Sequence, residues 1–229
     1  MADITEDIDE LEREELEAAS QGGEALEKVV EELGDRSRRR RQFAARVVSL
    51  LSQRSPELLV PHIPDLVDAL YRPEAQTRWE VLDALTALAP GNSKAVGEAY
   101  DGAEAALFDE ASSTLRLAAF RFLCTWASSS KAQSKRVWDV LDEAVQCYHG
   151  DIEYRDMLGS LHRFASGKLD AEVAAQLAGR LRFDAENSKG GYLKARSAEI
   201  YELLCRRFDL EDPRRPQRKA SDGDADDEE

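Results

Sequence analysis

Apolar residues recur along this chain at intervals of three, four and seven, the spacing that puts side chains on one face of an α-helix. The stretch 109–127, DEASSTLRLAAFRFLCTWA, shows the pattern in full: an acid, a short polar loop, an arginine, then a helix with a face of small residues. The phrase repeats. An arginine enters an apolar helix at Arg40, Arg78, Arg116, Arg155 and Arg196, at intervals of 38, 38, 39 and 41 residues. Three positions after the first four of these stand Phe43, Val81, Ala119 and Leu158. Seven positions after come Val47, Leu85, Leu123 and Leu203, with His162 in the fourth copy. Self-similarity at such a period predicts stacked helical hairpins, each too small to bury its apolar face alone.

Between the copies the pattern predicts partner helices. Ser93 is expected to cap one that carries Val96, Tyr100, Ala103 and Leu107. Ser130 is expected to cap another with Val137, Val140, Leu141 and Val145 inward, and a third runs over 170–183 with Val173, Leu177 and Leu181 as its stripe. Pro90-Gly91, Gly150 and Gly167 separate elements. At the start, Leu26, Val29, Val30 and Leu33 form an amphipathic helix expected to cap the array. Ahead of it, Ile4, Ile8 and Leu11 share a helical face that Leu16 misses, which predicts an exposed or disordered acidic leader.

The repeat resembles HEAT repeats over residues 36–208. The resemblance implies an all-α, right-handed α-solenoid of roughly four to five helical hairpins. It also implies that a turn acid pairs with each arginine, a role that Asp35, Asp109 and Asp151 fit before Arg40, Arg116 and Arg155, with Glu74 in the second copy. The division that follows is an acidic leader over 1–23, a repeat domain over 24–208 and a disordered tail over 209–229, basic at 214–219 and then acidic.

Charge sharpens that division. Of the formal net charge of −15, residues 1–35 hold −12 (14 acids, 2 bases), 36–208 hold +2 (23 acids, 25 bases) and 209–229 hold −5 (9 acids, 4 bases). The repeat region is nearly neutral and its flanks carry the acid. The densest basic run is Arg36, Arg38, Arg39, Arg40 and Arg41. It reads either as a solvated first turn neutralised by the leader or as a contact for phosphate or an acidic partner. No run of apolar residues is long enough for a membrane span, so no membrane is expected. Cys124, Cys147 and Cys205 are isolated among apolar neighbours, which fits reduced thiols and a cytoplasmic setting.

Signs of catalysis are sparse. His62, His149 and His162 are dispersed, none is followed by glutamate, and no CxxC is present. The iron-binding hydroxylases built on HEAT repeats need repeated His-Glu pairs, which this sequence lacks. No cofactor or metal is expected. Trp138 and Asp142 stand four apart and share a helix face. This pair resembles the tryptophan and aspartate that HEAT-like alkylpurine DNA glycosylases set in a concave groove, with the acid stabilising a cationic deoxyribose. The leading expectation is a monomeric, non-enzymatic scaffold or adaptor that binds a protein or peptide on a concave face. Its contacts would be Glu98, Asp101, Glu104, Lys135, Trp138, Asp139, Asp142 and Glu143 on the second helices. The alternative is a nucleic-acid-binding protein, including the glycosylase.

Overall fold

Residues 9–211 are described in a computed structural model of the chain. The expectations for Ile4, Ile8 and the basic-then-acidic tail beyond residue 211 lie outside the described residues. The helices are α1 (Glu10–Ala19), α2 (Gly23–Glu32), α3 (Arg38–Arg54), α4 (Ile63–Ala69), α5 (Ala75–Val96), α6 (Tyr100–Leu107), α7 (Ser113–Ala127), α8 (Lys131–Tyr148), α9 (Tyr154–Ser166), α10 (Ala171–Asn187) and α11 (Gly191–Phe208). Among the described residues there is no strand.

The helices stack in two rows. The arginine-led helices α3, α5, α7, α9 and α11 each pack extensively on the next. The intervening helices α4, α6, α8 and α10 touch one another far less. Small residues account for the close row. Ala44, Ala45, Ala84, Ala118 and Ala119 are all buried at its helix–helix contacts. Interaxial distance is set by the side chains at the contact, so alanine lets backbones approach.

The helix pairing is mixed. α6 packs mainly on α7, and α10 mainly on α11, one helix offset from the sequence reading, whereas α8 packs mainly on α7, as the sequence reading has it. α2 packs on α3, with Leu26, Val29, Val30 and Leu33 buried as the apolar spacing predicted. α1 packs on α3 and extends the close row by one helix. Here the structure reverses the leader's expected face. Leu16 is fully buried, whereas Leu11 is 64% exposed.

Capping follows the sequence in part. Ser112 and Ser130 accept hydrogen bonds from the backbone N–H of Leu115 and Gln133. Ser93 does not cap a helix. α5 continues past Pro90-Gly91 through a break at Asn92 (φ −130°, ψ 32°), and a short 3-10 turn over Gly97–Ala99 leads into α6.

Of the expected turn-acid pairs, Asp35–Arg40 forms at 3.2 Å, while the arginine ladder that ties the repeats together runs in a different register. Arg41, not Arg40, takes the ladder position: it pairs with Glu74, 33 residues on, and donates to the Asp35 carbonyl at 2.6 Å. Arg78 pairs with Asp109 at 3.3 Å. Arg116 pairs with Glu153, not Asp151, and donates to the Asp109 carbonyl at 2.9 Å. Each guanidinium thus holds the carboxylate of the following repeat, and two of them also hold the backbone of their own turn. Among the described residues Arg155 forms no ion pair with a carboxylate. Its guanidinium lies 4.4 Å from the centre of the Tyr192 ring.

Candidate functional site

The close row presents a regular outer stripe in its first three repeats. One and five positions after the ladder arginines Arg41, Arg78 and Arg116 stand Gln42 and Arg46, Trp79 and Asp83, Leu117 and Arg121. Residues four apart share a helix face, so each pair forms one rung of the same surface. All six are partly exposed.

The rungs are linked by charge. Arg46 lies 3.6 Å from Glu80 on α5 and 4.0 Å from Glu12 on α1. Arg121 donates to Asp83 at 2.6 Å. Further along, His162 on α9 lies 3.3 Å from Glu199 on α11. Burial pushes the carboxyls of Glu80 and Asp83 above their usual range, against the pull of Arg46 and Arg121. Carboxylates with perturbed pKa and specific partners mark candidate sites, although structural ion pairs show the same sign. The surface alternates in charge and carries two partly exposed apolar side chains, Trp79 and Leu117. It is not a continuous basic groove.

The contact residues expected from sequence lie on the other row. Glu98 falls in the 3-10 turn before α6, Asp101 and Glu104 on α6, and Lys135, Trp138, Asp139, Asp142 and Glu143 on α8. Glu98, Asp101, Asp139 and Glu143 are exposed. Lys135 sits 3.5 Å from Asp170. Trp138 is 4% exposed, its ring stacks on Phe164 with centroids 6.5 Å apart, and its indole N–H donates to Gln176. It packs in the core, and one edge lines a cavity of about 310 Å³ with Asp142 and Arg180. Asp142 accepts two hydrogen bonds from Arg180, both at 2.7 Å, and this raises the guanidinium's pKa. The two residues of the glycosylase resemblance are thus a buried ring and a clamped carboxylate.

The basic run divides as well. Arg41 is 11% exposed and belongs to the ladder. Arg40 is 64% exposed and pairs with Asp35 at 3.2 Å. Arg36, Arg38 and Arg39 are exposed. Acidic side chains face the run. Glu14 and Glu15 of α1 and Glu32 of α2 line a cleft of about 460 Å³ with Arg39 and Arg40.

Each histidine has a carboxylate neighbour. His62 lies 3.9 Å from Glu27, and His149 contacts the buried Asp184 at 2.9 Å. Among the described residues no three His, Cys, Asp or Glu side chains group as metal ligands. Cys124 and Cys205 are buried, and burial pushes the Cys124 thiol upward, away from nucleophilic character.

No family model matches the chain, and no curated protein matches it. Solved structures do. One is a computationally designed armadillo repeat protein for modular peptide recognition, 15% identical, covering 84% of this chain and 91% of that one with a TM-score of 0.64. Another designed armadillo repeat protein, in complex with the peptide (KR)4, is 18% identical with the same coverage and TM-score. The archaeal HEAT-like repeats protein from Thermococcus onnurineus NA1 is 12% identical, covering 87% and 94%, with a TM-score of 0.53. The fold is an armadillo/HEAT-like α-solenoid.

Identity this low speaks to architecture alone. Within the solenoid, the stripe at offsets one and five was open to sequence reasoning, because it keeps a constant distance from the repeating arginine. It was missed because the search for contact residues was confined to the second helices. Among the described residues no helix is long and apolar enough to cross a membrane.

Proposed function

We propose that the solenoid is a non-enzymatic scaffold that binds an extended segment of a protein or peptide along the close row. When a stack of hairpins curves, the row whose helices lie closer together is the inner one. On that rule we take α3, α5, α7, α9 and α11 as the concave side, and extended concave surfaces are what such arrays offer a partner. The observation that carries the reading is the mixed stripe of Gln42 and Arg46, Trp79 and Asp83, Leu117 and Arg121. Alternating charge with interspersed apolar side chains fits a polypeptide, whereas nucleic acid calls for an unbroken positive track. Two of the structural neighbours support the same kind of partner, since one is described as made for peptide recognition and another was solved with a peptide.

The test is selection of displayed random peptides on the full chain, with two counter-selections. Trp79→Ala combined with Arg121→Glu on the close row is expected to lower the affinity of the selected peptides at least tenfold. Glu98→Lys combined with Glu143→Lys on the other row is expected to leave it within twofold. Equal losses from both pairs, or loss only from the second, would sink the reading. A duplex DNA shift that persists at moderate salt would favour the nucleic-acid alternative.

A further inference from the structure

A second site lies at the edge of the solenoid where α5 ends, α6 begins, α7 ends and α8 begins. It is a cleft of about 600 Å³ lined by Ser93, Lys94, Glu98, Trp126, Gln133 and Arg136, among others. Its wall is fixed. The Trp126 indole donates to the Ser93 carbonyl at 2.8 Å, and Gln133 donates to the Ser93 hydroxyl at 2.7 Å. Gly97 packs closely there: a Cβ would lie 3.0 Å from the Trp126 ring, tighter than an ordinary contact. Arg136 lies over two rings, 4.4 Å from the centre of Tyr100 and 5.6 Å from that of Trp126. Stacking holds a guanidinium in place while its N–H edge stays available.

What the wall leaves over is positive charge. Among the described residues neither Lys94 nor Arg136 stands in an ion pair or donates a hydrogen bond. The ladder arginines, by contrast, meet a carboxylate or an aromatic ring of the next repeat. Glu98 is the one carboxylate in the cleft lining, and Glu104 and Asp101 act from beyond it on the Tyr100 phenol that Arg136 covers.

The chain leaves α11 on this same edge. Arg207 donates to the carbonyls of Ala165 and Gly167, the latter at 2.8 Å. Lys168 N–H donates to the Ser128 carbonyl at 2.7 Å, and Ser129 and Ser130 then border the cleft. Beyond Glu211 the sequence continues to a run with six carboxylates: Asp222, Asp224, Asp226, Asp227, Glu228 and Glu229.

We propose that this cleft is the docking site for the chain's own acidic segment, 222–229, held by Lys94 and Arg136. Reach allows it. The linker from Glu211 to Asp222 spans about 36 Å when extended, and Lys94 on α5 lies three helix spacings from α11, about 30 Å. Tethering raises the effective concentration of the segment to the order of millimolar, so a weak charge contact suffices. The basic run at Arg36–Arg39 is a poorer site for it. That run lies at the far end of the row, and Glu14, Glu15 and Glu32 stand beside it. The inference is independent of the peptide-binding reading, which concerns another face.

Zero-length carbodiimide coupling of the full chain tests this, because it joins a lysine amine only to a carboxylate in contact with it. Mass mapping at low salt is expected to show Lys94 joined to 222–229 at least fivefold more often than Lys168 or Lys189 is. The Lys94 link is expected to fall at least fivefold in Arg136→Glu, where Lys94 itself is kept, and to vanish in 1 M salt. Equal labelling of the three lysines, or a Lys94 link indifferent to Arg136→Glu, overturns the proposal. So does a link found only between light and isotopically heavy chains in a mixture, which would assign the cleft to a second copy.

Discussion

Trp138 shows how one residue can carry two incompatible signatures. Four residues from Asp142, it has the spacing of a contact pair; beside Val137 and Leu141, it has the surroundings of a core residue. Burial at 4% and stacking on Phe164 settle it as core. Trp138→Ala is therefore expected to lower unfolding free energy by about 3–5 kcal/mol, as loss of a buried aromatic does. Asp139→Ala on the exposed side is expected to stay within about 0.5 kcal/mol. Denaturant midpoints of the two variants check this, and a small loss at Trp138 would return it to the surface. Sequence could not decide the matter, because a tryptophan beside two apolar residues reads the same whether its ring points inward or along the helix. Leu16 misled for a related reason. Its burial depends on how α1 crosses α3, which no periodicity within α1 encodes.

At the scale of elements, the repeat was legible and its helix pairing only in part. Ala119, Val81 and Val47 kept their spacing from the arginines, so the existence of the helices and their buried faces could be read directly. Which neighbour each helix pairs with depends on packing between helices some 30 to 40 residues apart, and the alternating pattern is the same in either pairing. The ladder makes a sharper prediction. The hydrogen bond from Arg41 holds the Glu74 carboxyl below its usual range, and Arg116 does the same for Glu153. A depressed carboxylate stabilises the fold above the unfolded value near pH ~4.3. That stabilisation is lost as pH falls through the lower folded value. Glu74→Gln is expected to reduce stability at pH 7 by about 2 kcal/mol, below the full value of a broken buried pair because Arg41 keeps its backbone acceptors. The gap between variant and parent is expected to close as pH drops below the carboxylate range. Thermal melts from pH 7 to pH 2.5 check this, and a gap constant with pH would remove the ladder's electrostatic role.

At the scale of the whole molecule, stability in a stacked array is a sum over neighbours, and its ends matter most. α1 buries Leu16 and Ala19 completely against the array. Removing residues 1–22 is expected to lower unfolding free energy by about 2–3 kcal/mol, the value of an exposed leucine-sized face. A denaturation midpoint unchanged by that deletion would mean that α1 is only a surface passenger. The ladder also gives the array a direction. At the first three junctions one unit offers a guanidinium forward and the next a carboxylate backward, like links that fasten at one end only. Tyr192 already replaces the carboxylate at the last junction, and Arg196 turns to Glu199 within its own helix at 2.6 Å. The final link is closed on itself. An inserted copy of an inner unit would find both of its neighbours ready to join, while a copy added after α11 would meet an arginine already occupied.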